Sequence, residues 1–486
     1  MHAAFISSMK PNALLLLVTF QLLLTSTAPA ASAERWWPQF RGPNASGVAD
    51  DEKPCFEFSA GTNLIWKTEV PPGLSSPCIW GNLIFLTAAE GQDLVTLAVN
   101  REDGKVIWRQ AIEVPRPREL HKKNHSAAAT PATDGKAVCV FHATFGLVAY
   151  DMAGQELWRK PMSGMVARNG SGASPAMIEG RLILNCDVEE GKSFLAAYEP
   201  SSGKELWRTP RAGFISGYTT PVLWSYGNHQ DLAISGSLKV VGYDFRDGRE
   251  RWSIPGTEAV SVAPTPVVGD GQLYVMSRSF GGSKLPAFAL LLLGTDKNVD
   301  GKISREEAPR EFIEQGMFAG LDRNQDGFIT DKEYDEALAV LGQADYGIFA
   351  IRSPGEGVLS TNQLAWKHRK GVAGVSSPLY YRGRVYVVQD GGRVTCYNAK
   401  SGEKYLEQER LGADGEYFSS PVAADGKIFF VSNRGVVSVI EAADTLKVLA
   451  RNALEEPIMT TPAIVNDSLY VRSDHHLWAF GRGKGR

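Results

Sequence analysis

Cysteine is scarce and scattered in this 486-residue chain. Its 5 Cys (Cys55, Cys78, Cys139, Cys186 and Cys396) form no C-x-x-C, C-x-x-C-H or adjacent pair. That spacing argues against a disulfide scaffold, a zinc ribbon, a c-type haem and a thioredoxin-like site. Cys139, Cys186 and Cys396 stand in apolar, strand-like runs and read as small buried hydrophobes. An excess of one charge is also missing. With Lys+Arg 51 against Asp+Glu 54 the formal charge is -3, so no global basic field exists to hold nucleic acid. Catalytic signatures such as G-x-S-x-G and H-E-x-x-H are absent. What is present is apolar and aromatic content, 43% and 10%, too much for a disordered chain.

Long apolar runs are missing too, apart from ALLLLVTFQLLL at Ala13–Leu24. Lys10 precedes it, and TSTAPAASA follows, ending Ala31-Ser32-Ala33. A basic n-region, an apolar run of about a dozen residues and an A-x-A ending predict a cleaved secretory signal peptide over 1–33. The run falls short of the roughly 20 residues of a spanning helix, so no membrane span is expected. The mature protein is therefore expected in the periplasm or outside the cell, where a Cys55–Cys78 disulfide is permitted.

Aligning the chain on itself exposes a repeat. Each copy opens with Ser/Thr-Pro, with prolines at Pro77, Pro131, Pro175, Pro221, Pro266, Pro378, Pro421 and Pro462. The intervals run from 41 to 54 residues, broken by one of 112. Short alternating runs such as GLVAYD are half-buried strands, and Asp-Gly or Ser-Gly pairs supply the positive-φ positions of hairpin turns. Fourth strands are expected to end in Trp: DGKVIW, AGQELW, SGKELW and DGRERW. Four antiparallel strands cannot bury both faces alone, whereas radial repetition stacks sheet on sheet. The expected fold is all-β, an eight-bladed propeller, with Trp66, Trp108, Trp158, Trp207, Trp252 and Trp366 sealing blade against blade. The last unit stops after its third strand near Phe480. NLIWKTEV, around Trp66, is expected to supply the fourth and close the ring. The domain plan is 34–63 as an N-terminal extension packing on the propeller, blades over 64–280 and 345–486, and an insertion over 281–344 in blade five. Blades six and seven, with SGEKYL and DTLKVL, lack the Trp and are expected to seal more loosely.

The Ser/Thr-Pro openings and Gly-Lys-x-x-Trp endings resemble the PQQ-like β-propeller repeat family, which includes quinoprotein alcohol dehydrogenases and BamB-type outer-membrane assembly scaffolds. WWPQFRGPNASGVA (Trp36–Ala49) resembles the start of a secreted branch of that family, common in planctomycete-type bacteria. The resemblance implies fold more than activity. In the quinoproteins PQQ lies on the axis with a calcium ion, commonly below an adjacent-Cys disulfide. This chain has no such Cys pair, and its residues do not match the family's axial ligands.

The insertion carries the most specific motif. DKNVDGKISREE (296–307) and DRNQDGFITDKE (322–333) fit the twelve-residue EF-hand calcium loop. Calcium takes six to eight hard oxygens, and alternate residues of a tight loop aim theirs inward. In the first loop Asp296, Asn298 and Asp300 hold positions 1, 3 and 5, Gly301 turns, and Lys302 offers its carbonyl. Ser304 takes the often water-bridged ninth position and Glu307 the bidentate twelfth. Asp322, Asn324, Asp326, Gly327, Phe328 (carbonyl), Thr330 and Glu333 repeat these roles. Ile303 and Ile329 are expected to pair as a ribbon. Pro309 should cut the first exiting helix to barely a turn, and Pro286 fits the start of an entering helix through AFALLLLG, its Leu run packing on the hand or the propeller. Residues 295–341 hold 12 acidic and 6 basic side chains, about -6. The basic stretch PRPRELHKKNHSA, with Arg109, Arg116, Arg118, Lys122 and Lys123 nearby, should share the insertion's face. His121/His125 and His475-His476 read as structural or surface residues, and Arg168–Gly172 as a blade-connecting loop rather than a phosphate site.

The functional expectation is an exported, monomeric, non-catalytic propeller binding two calcium ions and presenting its loop face to a protein or polymer partner. The alternatives are a PQQ-dependent quinoprotein-type oxidoreductase and a BamB-like outer-membrane assembly factor.

Overall fold

The computed structural model describes residues 36–482 except 115–122, 163–164, 166–169, 171, 189–190, 260, 280–286, 315–317, 319–320, 323 and 325. Residues 1–33, expected to be a signal peptide, together with Arg116, Arg118, His121, Lys122, Pro286 and most of Arg168–Gly172 lie outside the described residues.

Eight antiparallel sheets follow one another along the chain. The first consists of Cys78–Trp80, Leu83–Glu90, Asp93–Asn100 and Val106–Glu113. Its inner strands are buried on both faces, because neighbouring blades cover them, while the outer strand alternates with solvent. The eighth sheet takes Ala463–Val465, Ser468–Arg472 and His476–Phe480 from the C-terminus and Leu64–Glu69 from the N-terminus. Leu64 pairs with Phe480 and Glu69 with His476, so first and last strands close the ring as expected. Blade four has one addition: Gly357–Val358, from the connection inside blade five, pairs in parallel with its outer strand Glu250–Pro255. Among the described residues no helix is long and apolar enough to cross a membrane.

The tryptophans sit differently from the expectation. Each is the third residue of its outer strand, which runs on beyond it, as Trp108 does in Val106–Glu113. A bulge precedes each one: Trp108 pairs with Ala98 and Val106 with Val99, leaving Ile107 unpaired and exposed. The same shift recurs at Trp66, Trp158, Trp207, Trp252 and Trp366, each opposite an Ala or Gly. The bulge aims the indole at the next blade. Trp108 lies over Gly154 of blade two, Trp158 over Gly203 of blade three and Trp366 over Gly402 of blade six. A Cβ on Gly154 would meet Trp108 at 2.7 Å, and its φ of +87° already favours glycine. The indole N–H groups of Trp108 and Trp158 donate to Met152 and Pro200 carbonyls. Trp252 departs from the pattern. It turns into its own blade, edge-on to Trp224 at 5.7 Å, and donates to Asp231 at 2.8 Å.

The N-terminal extension crosses the axis. From Trp37 to Glu52 it bonds to seven of the eight blades. Trp37 exchanges backbone bonds with Ile79, Pro38 O accepts from Thr133, and Gln39 Oε1 from Met177. Asn44 grips both backbone groups of Leu223, Arg41 donates to Pro378 O, Gly47 O accepts from Ala423, and Glu52 from Asp467 N. Because the inner strands surround the axis, a segment bonded to all of these lies across its opening.

Ring closure has an electrostatic tie. Glu456 accepts from Lys67 of the closing strand at 3.0 Å, from Ser473 at 2.6 Å, and pairs with His476 at 2.7 Å. Burial pushes its carboxyl up, but these donors outweigh it and take it from 4.5 down to about 2. A depressed folded pKa stabilises above the unfolded value and loses that contribution as pH falls from about 4.5 to about 2. Glu456→Gln should therefore cost about 1–2 kcal/mol at pH 7, reduced by the solvent the side chain still meets. Urea unfolding at pH 7 and again near pH 3 checks this, the gap between variant and parent narrowing at the lower pH.

Candidate functional site

The second and third strands of blade five, Gln272–Ser277 and Gly347–Ile351, are joined by the long insertion. It holds helices Phe288–Thr295, Arg310–Glu314 and Asp331–Leu341 around a small core of Phe288, Ile303, Phe318, Ile329 and Tyr334. Ile303 pairs with Ile329 and Ser304 with Phe328, joining the two acidic loops back to back. The leucine run divides: Leu291 and Leu292 pack on the insertion's core, whereas Leu290 and Leu293 are 63% and 84% exposed. After Glu307 the chain makes a turn, and its helix starts only beyond Pro309, at Arg310. The second loop instead runs straight into Asp331–Leu341 through a capping box of Thr330 and Glu333.

Both loops close by one hydrogen-bond scheme. Asp296 accepts from the N–H groups of Asp300 and Gly301, Asn298 Oδ1 from Asp300, and Asp300 from Lys302. Glu307 reaches back across the loop to the N–H groups of Lys297 and Asn298, and takes both the N–H and hydroxyl of Ser304. In the second loop Asp322 accepts from Asp326 and Gly327, Asn324 from Asp326, and Asp326 from Phe328. Glu333 accepts from Asn324 and from Thr330 twice. The Ser304 hydroxyl holds the Glu307 carboxyl below its ordinary range. At Glu333 burial pushes the other way, but the Thr330 bonds win. Among the described residues no three His, Cys, Asp or Glu side chains gather at metal-binding separations. The loop oxygens are taken up by the loop's own N–H groups. The donor set is nonetheless all oxygen, from residues 1, 3, 5, 9 and 12 of each loop, which suits a hard cation.

At the root of the insertion, on the same face, lies a cleft of about 420 Å³ toward blade six. Arg278, Arg369, Lys370 and Arg393 line it with Asp390. The Arg278–Asp390 pair is loose, at 4.0 Å, while Arg369 reaches Asp345 at 3.0 Å. The basic stretch foreseen near Arg109 is tied down where it is described: Arg109 pairs with Glu90 and Lys123 with Glu416. His125 accepts from Ala127 N, and His476 joins Glu456, so neither presents a free ligand set. All five cysteines are free and buried, Cys55 and Cys78 included.

Toward the axis, the Ser/Thr-Pro openings do something that the repeat alone did not reveal. Ser76 N–H donates to the Thr130 hydroxyl at 3.0 Å, and Thr130 N–H to Ser174 at 3.0 Å. Thr220 donates to Thr265, Thr265 to Ser377, Ser377 to Ser420, and Ser420 to Thr461. Thr461 N–H returns to the Ser76 hydroxyl at 3.0 Å. Seven of the eight hydroxyls thus accept from the preceding blade, and the following Pro has no N–H that would need an acceptor. Buried carboxylates nearby are engaged: Asp187 holds Arg211 through both oxygens, at 2.7 and 2.8 Å.

The family profile described as outer membrane protein assembly factor BamB, of PQQ-like repeats, matches residues 54–164, 92–287 and 345–413. That is well over half of the chain. The chain belongs to this family. The profile breaks at 287 and resumes at 345, so the insertion is foreign to it. No curated protein matches the sequence. Among solved structures, BamB from Moraxella catarrhalis is 13% identical with a TM-score of 0.53, covering 87% of this chain and 98% of that one. The quinohemoprotein alcohol dehydrogenase from Comamonas testosteroni is 11% identical with a TM-score of 0.55, covering 93% and 81%. A computationally designed protein, Ika8, matches as well: 10% identity, TM-score 0.52, 85% and 98% coverage. Likeness at this level, shared with a designed chain, shows the propeller and nothing of its chemistry.

Proposed function

We propose that this is an exported, non-catalytic PQQ-like propeller whose blade-five insertion is an EF-hand pair holding two calcium ions. Its insertion-bearing face would receive a protein or polymer partner. The observation that supports the reading is the shared hydrogen-bond scheme of the two twelve-residue loops, in which the side chains at positions 1, 3, 5 and 12 accept from the loop's own N–H groups in each. Asp296, Asn298, Asp300 and Glu307, with the Lys302 carbonyl and Ser304, would hold one ion. Asp322, Asn324, Asp326 and Glu333, with the Phe328 carbonyl and Thr330, would hold the other. Calcium supplies a rigid, positively charged hub there. Extracellular modules bind at around 10⁻⁴–10⁻³ M, so such sites stay loaded outside the cell. The acidic insertion beside the Arg278–Arg393 cleft supports a partner that carries both signs of charge.

Calorimetric titration of the chelator-treated mature protein is expected to show two calcium ions per chain. Glu333→Gln should remove or weaken the second site by about tenfold or more, since the bidentate carboxylate supplies two oxygens. Absence of any calcium heat sinks the EF-hand reading. Stoichiometric uptake of PQQ, with dye reduction on an alcohol, would replace the non-catalytic reading with a quinoprotein one.

A further inference from the structure

We propose that the cleft between blades five and six, at the root of the insertion, binds an acidic sugar of the uronate class, its carboxylate held between Arg278 and Arg393. The inference names the unit of the partner that enters this face, so it rests on the partner part of the preceding reading and not on calcium.

The cleft collects cations from both blades. Arg278 follows the second strand of blade five, and Arg369 and Lys370 follow its outer strand Leu364–His368. Arg393 opens the third strand of blade six, Arg393–Asn398. Against these four the lining has one carboxylate, Asp390, and it is already divided. Its Oδ1 accepts from Tyr417 N at 2.9 Å, while its Oδ2 stands 4.0 Å from Arg278 Nη1, beyond hydrogen-bond reach. The Arg278 guanidinium is placed closely: a Cβ on Gly374 would meet its Nη1 at 3.1 Å. Arg393 donates to the Asp390 carbonyl at 3.2 Å and to Gln408 Oε1 at 3.4 Å, both uncharged acceptors. Two guanidinium groups thus flank Asp390, and neither is hydrogen-bonded to its carboxylate. Lys370 acts on Glu407 only through space, whereas Arg369 is paired with Asp345 at 3.0 Å.

Cations gathered around one cavity repel each other unless an anion joins them. Size alone does not gather them. A second cleft of about 410 Å³, where blades seven, eight and one meet, sets Lys123 against Glu416 and Asp474, with Lys123 and Glu416 paired. The guanidinium fork of Arg278 matches a carboxylate. Gln389, Gln408 and Ser279 stand among the cations, side chains of the kind that exchange hydrogen bonds with sugar hydroxyls. Apart from the Tyr346 ring, the apolar lining is Val372, Ala373 and glycines, which gives a peptide side chain little to anchor in. A long polyanion would also meet the insertion, with 12 acidic against 6 basic residues over 295–341. One carboxylate among hydroxyls, in a cavity of about 420 Å³, answers this lining.

The test is calorimetric titration of the full chain with trigalacturonate, in chelator so that calcium cannot bridge protein and sugar. One saturable site per chain is expected, weakening as salt is raised. Arg278→Gln should raise Kd about tenfold, the loss of one charge-assisted pair. Asp390→Asn keeps an acceptor for Tyr417 N–H but removes the competing charge, and should lower Kd about threefold. Both side chains are about half-exposed, and the opposite signs separate a binding effect from damage to the fold. Maltotriose, which lacks the carboxylates, and triglutamate, which lacks the sugar, should each bind at least about tenfold more weakly. No heat with trigalacturonate, triglutamate or maltotriose binding equally well, or a Kd unmoved by both substitutions overturns the proposal. A chain that takes calcium but not trigalacturonate loses this inference alone. One that takes trigalacturonate but no calcium loses the EF-hand reading alone.

Discussion

Trp252→Ala should be among the most costly single substitutions in the ring, at about 3–5 kcal/mol. Trp252 is fully buried, meets Trp224 edge-on, and is a donor to the buried carboxylate of Asp231. Truncation removes the aromatic area and also leaves that carboxylate short of a partner, with the Tyr226 hydroxyl and a distant Arg251 at 3.7 Å remaining. Trp207→Ala is the matched comparison. Trp207 is half-buried over Gly248 and its indole N–H has no acceptor, so its loss should cost about 2 kcal/mol. Urea midpoints of the two variants, with m unchanged, check the order. Equal losses would mean that neither the Asp231 bond nor the fuller burial of Trp252 adds to the cost.

A chain lacking residues 1–69 should show no cooperative unfolding at all. The deletion takes the N-terminal extension, the closing strand Leu64–Glu69, Trp66 and the Lys67–Glu456 tie together. Trp66 alone, lying over Gly104 and donating to Arg101 O, is a loss of several kcal/mol. The whole set exceeds the roughly 5–15 kcal/mol by which a domain is ordinarily stable. The deletion also bares His476–Phe480 as an open sheet edge, a template for association between chains. Circular dichroism during heating and size-exclusion chromatography together check both effects. A sharp melt within about 5 °C of the parent would show that the ring stands without its closing strand.

Legibility followed the range of the interactions. Strand positions, hairpin turns and ring closure were readable because Asp-Gly turns and alternating apolar runs are local signals repeated eight times. The pairing of Ile303 with Ile329 between the two acidic loops was readable for the same reason, since each twelve-residue loop folds on itself. Five of the six tryptophans were recognised as seals, Trp252 turning into its own blade instead, and their place in the strand was not recognised. A bulge such as that at Ile107 arises because Trp108 must face blade two while Ala98 sits opposite, and no window of blade one contains that requirement. The leucine run of Phe288–Thr295 looked uniformly apolar, yet only one side has a core to meet. WWPQFRGPNASGVA served in sequence as a mark of kinship. Its physical role, a segment bonded to seven blades, depends on partners such as Met177, Pro378 and Asp467, which lie 138, 337 and 415 positions away.

The scarcity of cysteine and the lack of a dominant charge thus bounded the chemistry from the sequence, and the repeat with its one long interval determined an eight-bladed ring with an insertion in blade five. The tertiary structure decided what holds the ring shut and what occupies its centre. Ser76 and Thr461 lie 385 positions apart and become hydrogen-bond partners only when the last blade meets the first. The same assembly buries Arg41 completely against Pro378 O, 337 positions away, because burial and partnership are properties of the assembled ring.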